Sequence, residues 1–343
     1  MKSKVLKRIL ISVLSVVAVL LLIFGGIRVY FRAPVSDYYS ASQKAFVIPD
    51  LNWGFVPQGF YYDQEKGNYL ISGYSSKKDA PSSVYIGGGD SFKKVNLAYQ
   101  NGSKMARHSG GVALFKDWVY VAGSSANRVY VYSYSEMLSA KDGGSVKAIG
   151  EIPLYNPNDK EGDYIRSSAL TVASGYLMVN EFHYGEDYQT LESHKITTSA
   201  GEKHGGLAVC LALSENENLG TNGKIVKAYT IRDKVQGMTV YNGKIYLSTS
   251  HGLNFSEIFE YNYTTAKNEG KIQLLGYDVP LYSLDKNNLL KKYKVPPMAE
   301  GIVFVDGKLV IMSEFACNKY ILGKFTSAKW CYKTDLSKIK TAL

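Results

Sequence analysis

The stretch VQGMTVYNGKIYLSTSHG, residues 235–252, has the pattern of a β-hairpin. Apolar and polar residues alternate on both sides of Asn242 and Gly243, a dipeptide that favours the two-residue turn between antiparallel strands. The second strand ends in the polar cluster Ser-Thr-Ser-His, residues 248–251. The first question is whether this cluster forms part of a functional site or only ends a hairpin.

The same pattern returns four more times along the chain. Each copy has a small residue before an apolar strand, a turn, a second strand that ends in polar residues, and a tyrosine-rich third strand. The other copies begin VPQGFYYDQEKGNYLISGYSS, RHSGGVALFKDWVYVAGSS, RSSALTVASGYLMVNEFH and MAEGIVFVDGKLVIMSEFA. The register marks Gly59, Gly111, Ala169, Gly237 and Gly301 are separated by 52, 58, 68 and 64 residues. Such a period is typical of an array of β-blades.

The number of strands in these units indicates a closed ring. The first four units have room for a fourth strand, at residues 92–99, 145–154, 223–231 and 288–296, whereas the fifth unit has none. The segment KAFVIPDLNW, residues 44–53, precedes the first unit and supplies the missing strand. Closure in this way removes exposed sheet edges. We therefore predict an all-β fold, a single five-bladed β-propeller over residues 44–343, in preference to six blades or two β-sandwiches.

The N-terminal segment has the composition of a membrane anchor. A basic head, residues 1–8, precedes nineteen uncharged residues, 9–27, which as a helix span about 30 Å, the thickness of the hydrocarbon core. Residues 28–43 are predicted to be a linker. The flanking sequence lacks a good small-x-small cleavage site, which favours an uncleaved signal-anchor over a signal peptide. Four positive charges before the span and two after it favour a cytoplasmic N-terminus, and hence a single-pass plasma-membrane protein whose C-terminal domain is extracytoplasmic.

Charge and cysteine content exclude two further classes of protein. The net charge is +10, but six positive charges lie within residues 1–32, where there is no acid. The remaining excess is spread without a basic stripe, so we predict no nucleic-acid binding. Three cysteines are too few for a disulfide scaffold. Cys317 and Cys331, on neighbouring predicted strands, could form a disulfide, and Cys210 is predicted to be a buried thiol.

The propeller register predicts where a site lies. The start of each inner strand and the end of each second strand face the same mouth of the central channel. The starts carry Gln58, His108, Ser167, Gln236 and Glu300, and the ends carry Ser72, Ser124, Glu181, His251 and Glu314, with Tyr74, Asn180 and His183 close by. The long insertion 184–203 is the predicted lid, because long loops on a rigid scaffold tend to carry recognition.

These residue types allow more than one chemistry. Glu181, Glu300 and Glu314 are candidate ligands of Ca²⁺, which prefers six to eight oxygen atoms. His251 or Glu300 is then the candidate catalytic group that activates water. Without a metal, the channel-mouth residues form a binding site, for which the candidates are Gln58, Tyr74, His108, His183 and Gln236. A third alternative is that the channel is polar only because it is wet.

Two short motifs resemble known propeller families. AEGIVF, residues 299–304, is similar to the Glu-Gly strand start of the gluconolactonase, strictosidine synthase and paraoxonase-like superfamily, a resemblance that implies a calcium-ligating role for Glu300. That superfamily has six blades, and its other usual ligands, an Asn and an Asp, have no clear counterparts here. FVPQGFYYD, residues 55–63, resembles the Phe-Thr-Gln-Gly opening of the five-bladed plant-type glutaminyl cyclases, but Ser72 stands where that family has an acid.

Two functional hypotheses follow. The first is an anchored module that presents its channel mouth and the 184–203 loop to a cell-envelope ligand or protein partner. The alternative is a Ca²⁺-dependent hydrolase of lactonase or esterase type. The absence of a complete catalytic motif favours the first.

Overall fold

The computed structural model describes residues 2–340 and shows a five-bladed β-propeller behind a long N-terminal helix. Each blade is an antiparallel sheet whose first strand lies next to the channel and whose fourth strand lies at the outer edge of the propeller. The predicted fold class and blade number are confirmed.

The blades follow one another along the chain. In the order from inner to outer strand, blade 1 comprises Phe55–Asp63, Asn68–Ser75, Ser83–Gly88 and Ser91–Ala98. Blade 2 comprises Ser109–Phe115, Trp118–Gly123, Arg128–Ser133 and Gly150–Pro153. Blade 3 comprises Ala169–Ala173, Tyr176–Asn180, Gly206–Ala212 and Ile225–Ile231. Blade 4 comprises Val235–Tyr241, Lys244–Thr249, Ser256–Tyr261 and Leu289–Val295. Blade 5 comprises Ala299–Val305, Lys308–Ser313, Trp330–Thr334 and the N-terminal strand Ser42–Val47.

The N-terminal strand closes the ring, as the sequence predicts. Ser42–Val47 pairs antiparallel with Trp330–Thr334, with Ser42 opposite Thr334 and Val47 opposite Trp330. A hydrogen bond of 2.8 Å between the hydroxyl groups of Ser42 and Thr334 fixes one end of this pair. The first and last strands of the domain therefore belong to one sheet.

The repeated glycines pack the inner strands against one another. A Cβ atom on Gly111 would lie 2.2 Å from the backbone nitrogen of Leu170, in the inner strand of blade 3. A Cβ on Gly237 would lie 2.2 Å from the carbonyl oxygen of Glu300. Both distances are shorter than real contacts, so a side chain there would force the blades apart. The period of the sequence thus reflects backbone-to-backbone contact around the channel.

Blades 1 and 3 contain strands that the repeat does not predict. Gly144–Lys147 pairs parallel with Ser91–Ala98 and adds a fifth strand to blade 1. The hairpin Lys267–Leu274 and Tyr277–Ser283 leaves the chain inside blade 4 but pairs parallel with Ile225–Ile231 of blade 3. Two short strand pairs lie in loops, and their strands are Tyr155–Asn156 with Asp159–Tyr164 and Ile196–Thr197 with Lys203–His204. The predicted strand 145–154 is therefore two strands, one in each of two blades.

Helices are few. The N-terminal helix is Lys2–Arg32, and two short α-helices follow at Ser36–Ser40 and Tyr134–Ser139. The last of these is capped by Ser133, whose hydroxyl accepts a hydrogen bond from the Glu136 backbone nitrogen. The 3₁₀ turns are Ala33–Val35, Glu192–His194, Asn218–Gly220, Tyr263–Thr265, Ile321–Phe325 and Leu336–Lys338.

The N-terminal helix is long and apolar enough to cross a membrane. The candidate span has a mean hydropathy of 2.9, and none of its most apolar window is buried against the protein. The residues after it, predicted to be a linker, are largely helical, and Phe31, Val35 and Tyr38 are buried against the propeller.

The three cysteines, Cys210, Cys317 and Cys331, are free thiols, and all three are buried. The disulfide that Cys317 and Cys331 could have formed is therefore not present.

Candidate functional site

A cavity of about 770 Å³ lies at the mouth of the channel and is lined by residues of all five blades. The five residues predicted at the starts of the inner strands all line it, namely Gln58, His108, Ser167, Gln236 and Glu300. The repeat places them there because each precedes the close-packed glycine or alanine that fixes its inner strand. The hairpin that begins at Val235 therefore contributes Gln236 at its start, and Ser250 and His251 at its end, to a shared cavity.

The predicted residues at the second strand ends divide into two groups. Ser124, His251 and Glu314 line the cavity, as does the neighbouring Tyr74. The side chains that do not line it are Ser72, Asn180, Glu181 and His183. The first two of these bond backbone atoms, since the Ser72 hydroxyl donates to the carbonyl of Gly110 at 2.5 Å and the Asn180 amide donates to that of Val235 at 3.2 Å.

Two buried glutamates from blade 5 form the main electrostatic feature of the cavity. Burial and the neighbouring Glu314 raise the pKa of Glu300 well above its usual value. Burial raises the pKa of Glu314 to about 7, although Lys319, Tyr320 and Gln58 favour its charged form. The Gln58 side-chain amide donates to Glu314 Oε2 at 2.9 Å. Burial therefore favours the protonated form of both acids, and Glu314 titrates near neutral pH.

A lysine, two tyrosines and a histidine stand beside this acid pair. Lys319 Nζ donates to the Tyr74 hydroxyl at 3.1 Å, and Tyr320 also lines the cavity. The ring of Tyr74 packs on that of His108 with 4.4 Å between centroids. Burial and the charge of Lys319 lower the pKa of His108 to about 4, so its imidazole is neutral at physiological pH.

Another part of the cavity wall is formed by His251 and by Tyr188 of the predicted lid. The His251 ring lies 3.8 Å from that of Tyr184 and 6.3 Å from that of Tyr188, measured between centroids. Lys234 Nζ lies 4.6 Å above the Tyr184 ring. His251 thus supports an aromatic wall between blades 3 and 4.

Glu181 lies beneath the lid and is separated from the other two glutamates by its partners. His194 Nδ1 is 3.0 Å from Glu181 Oε2, and the backbone nitrogens of Arg166 and Leu207 each donate to its carboxylate at 3.2 Å. His183, predicted at the mouth, instead contacts the Thr190 hydroxyl at 3.1 Å within the lid. Glu181 therefore holds the lid in place.

The structure places two of the three predicted calcium ligands in the cavity and the third beneath the lid. Glu300 and Glu314 share the cavity, whereas the carboxylate of Glu181 is used by the lid. Over residues 2–340 no group of three or more His, Cys, Asp or Glu side chains is arranged to hold a metal ion. The ammonium group of Lys319 also lies close enough to influence both acids of the pair.

Sequence reasoning missed several lining residues, among them Lys160, Arg166, Lys319 and Tyr320. Lys319 and Tyr320 belong to the loop between the second and third strands of blade 5, residues 314–329. The length of this loop could have indicated that its residues reach the cavity, because the loop is longer than a hairpin turn requires.

Comparisons with known proteins support no closer assignment. No protein-family model and no curated protein sequence matches the chain. Among solved structures, a glutaminyl cyclase from Myxococcus xanthus aligns at 11% identity over 85% of this chain and 93% of its own, with a TM-score of 0.43. A PQQ-bound aldose sugar dehydrogenase from Streptomyces coelicolor aligns at 15% identity over 79% and 76%, with a TM-score of 0.41. An exo-β-1,3-galactanase from Phanerochaete chrysosporium aligns at 11% identity over 83% and 62%, with a TM-score of 0.42. These similarities are too distant to transfer an activity, and the propeller assignment rests on the strand pairing itself.

Proposed function

We propose that this protein is a membrane-anchored, extracytoplasmic β-propeller that binds a small amine-bearing ligand in its channel-mouth cavity. The apolar N-terminal helix and its basic head support the anchor and its orientation. The observation that carries the ligand class is the buried pair Glu300 and Glu314, whose pKa values are both raised.

A raised carboxyl pKa means that burial destabilises the charged form of the acid. A cationic ligand beside the pair stabilises the charged carboxylates, which burial deprives of water, and so favours their ionisation. Lys319 offsets part of this cost, but it already bonds the Tyr74 hydroxyl. An ammonium group needs about three acceptors, and the two carboxyl groups with the Gln58 carbonyl can supply them.

The remaining walls suit the body of such a ligand. Tyr74, Tyr188 and Tyr320 offer aromatic faces, while Phe182 is apolar. Aromatic faces attract cations and cover apolar groups. The cavity volume falls within the range that holds small organic ligands.

A matched pair of probes tests the proposal. 2-Phenylethylamine carries the ammonium group, and 2-phenylethanol has nearly the same shape without the charge. We expect the amine to raise the melting temperature of the full-length protein, and to bind more tightly at pH 8 than at pH 6, because Glu314 ionises near pH 7. Equal effects of the two probes would contradict an amine site.

Two variants test whether the amine binds at the Glu300 and Glu314 pair. Glu314→Gln keeps the shape of the side chain but cannot ionise, so we expect it to abolish both the preference for the amine and its pH dependence. Glu65→Gln, at an exposed position in the turn between the first two strands of blade 1, is the matched control and should behave as wild type.

A hydrolase remains the second candidate, favoured by the pKa of Glu314. A group that titrates near pH 7 can accept and return protons under physiological conditions. Glu300, whose protonated form burial favours, would be the acid and Glu314 the base, and His251 lines the same cavity. Turnover of aryl ester and lactone substrates, lost in Glu314→Gln, tests this activity.

Calcium binding at the Glu300 and Glu314 pair stays a prediction of the resemblance to the lactonase-like propellers. A titration with CaCl₂ in place of the amine tests it. A melting temperature that responds to Ca²⁺ and to chelator in wild type, but not in Glu300→Gln, would support calcium over an amine.

A further inference from the structure

The N-terminal helix is attached to the same loop that lines the cavity. The ring of Phe24 stacks on that of Phe325 with centroids 4.3 Å apart. Arg28 Nη1 donates to the Phe325 carbonyl at 3.3 Å and to the Ser327 hydroxyl at 3.0 Å. The same loop, residues 314–329, carries Lys319 into the cavity. Anchor and ligand cavity are thus joined through a single segment.

The helix leaves the propeller on the side of the channel mouth. Phe31, buried near its end, packs against Phe315 and Phe255 with centroid distances of 5.0 and 6.5 Å. Phe315 follows the mouth end of a second strand, and Phe255 precedes the mouth end of a third strand. Side chains from Ile9 to Phe24 are exposed. A bilayer around this apolar stretch therefore lies on the mouth side of the domain.

Three large apolar side chains project from the rim of the channel mouth beside the helix. Trp53 is 72% exposed, Leu253 50% and Ile321 67%. Trp53 precedes the inner strand of blade 1, Leu253 follows the second strand of blade 4, and Ile321 lies in the 314–329 loop. Single exposed apolar residues are common on soluble proteins, but these three lie in loops at the same end of the propeller as the helix.

Polar groups next to these side chains also suit a lipid surface. Lys324 Nζ donates to the side-chain carbonyls of Asn52 and Asn318 at 2.6 and 2.7 Å, which holds its charge beside Trp53. Trp and Lys are the residues that favour the head-group layer. The other half of the rim, on blades 2 and 3, is charged and exposed at Glu161, Glu186 and Asp187.

We propose that the rim formed by Trp53, Leu253 and Ile321 lies in the head-group layer of the bilayer, so that the cavity opens along the lipid surface while the rim of blades 2 and 3 faces water. This inference rests on the membrane anchoring proposed above. It goes beyond that proposal because an anchor alone would allow the propeller to stand clear of the lipid.

Site-directed spin labelling of the full-length protein in phosphatidylcholine and phosphatidylglycerol vesicles tests the proposal. All three native cysteines are buried, so Ile321→Cys and Leu253→Cys can be labelled selectively. Tyr277→Cys is the matched control, because Tyr277 is 52% exposed at the end of a strand remote from the mouth. Collisions of the nitroxide with oxygen, which concentrates in lipid, are compared with collisions with a water-soluble nickel chelate.

We expect the ratio of oxygen to nickel accessibility to be severalfold higher at positions 321 and 253 than at 277. Equal ratios at the three positions would overturn the proposal. Alkaline extraction of the protein from the same vesicles distinguishes failure of the membrane anchor from failure of the docked rim alone. Extracted protein would refute the anchor and the docked rim together, whereas retained protein with equal ratios would refute only the docked rim. Amine binding in the cavity is measured independently of both.

Discussion

Replacing Glu314 by Gln should change how the stability of the protein depends on pH. The folded state raises the pKa of this carboxyl from 4.5 to about 7. Between these values the folded protein holds a proton that the unfolded chain has lost, so the free energy of unfolding falls as the pH rises through this range. The Glu314→Gln variant does not pay this cost.

The size of the effect follows from the two pKa values. A difference of one pKa unit corresponds to about 1.4 kcal/mol, so Glu314 accounts for about 2–3 kcal/mol of lost stability between pH 5 and pH 8.5. Removing the charge of Glu314 also lowers the pKa of Glu300, which acts in the same direction. The stability of the variant relative to wild type should therefore increase by at least this amount over that range.

Urea unfolding of the full-length protein in detergent, followed by tyrosine and tryptophan fluorescence, measures the difference. Glu65→Gln is again the control, and its stability should follow that of wild type at every pH. A constant difference between Glu314→Gln and wild type from pH 5 to 8.5 would refute the reasoning, since it would mean that Glu314 ionises in the folded protein at its ordinary pKa.

Three further substitutions test the packing described above. Gly111→Ala places a methyl group against the neighbouring blade and should destabilise the fold by about 3 kcal/mol, whereas Gly88→Ala, with 3.6 Å to the nearest atom, should be close to neutral in the same urea experiment. Phe31→Ala removes a buried ring where the anchor meets the propeller and should cost about 3–5 kcal/mol, measured by the same unfolding curve. His194→Leu leaves the buried carboxylate of Glu181 without its side-chain partner, so the 184–203 lid should be cut faster by protease, and a cut rate equal to wild type would contradict its role.

The propeller could be predicted because its repeat has a direct physical cause. Glycine or alanine recurs where inner strands touch backbone to backbone, and this fixes both the period and the register of the wall residues. The strand that closes the ring could also be deduced, since the fifth unit lacked a partner at its edge. The same register placed Gln58 and Glu300 at the cavity, where the structure has them.

The features that sequence reasoning missed come from insertions that the repeat does not constrain. The hairpin Lys267–Ser283 leaves one blade and extends the sheet of another, an arrangement set by tertiary packing that no local sequence pattern indicates. Glu181 occupies the same slot in its unit as Glu314, yet the lid folds over it and supplies His194 as its partner. The position of a residue in the repeat predicts where its backbone lies, but the loops determine which groups its side chain contacts.

The pairing of the first strand with the last has a consequence for biosynthesis and for mechanical load. Ser42 and Thr334, which share a hydrogen bond, are 292 residues apart. During synthesis the segment next to the N-terminal helix emerges first, yet its partner strand follows only after the first four blades. The ring can therefore close only after the last blade has been made. Once the ring is closed, a force applied through the N-terminal helix passes into this same strand pair, so the strength of the pair contributes to how firmly the helix and the propeller are held together.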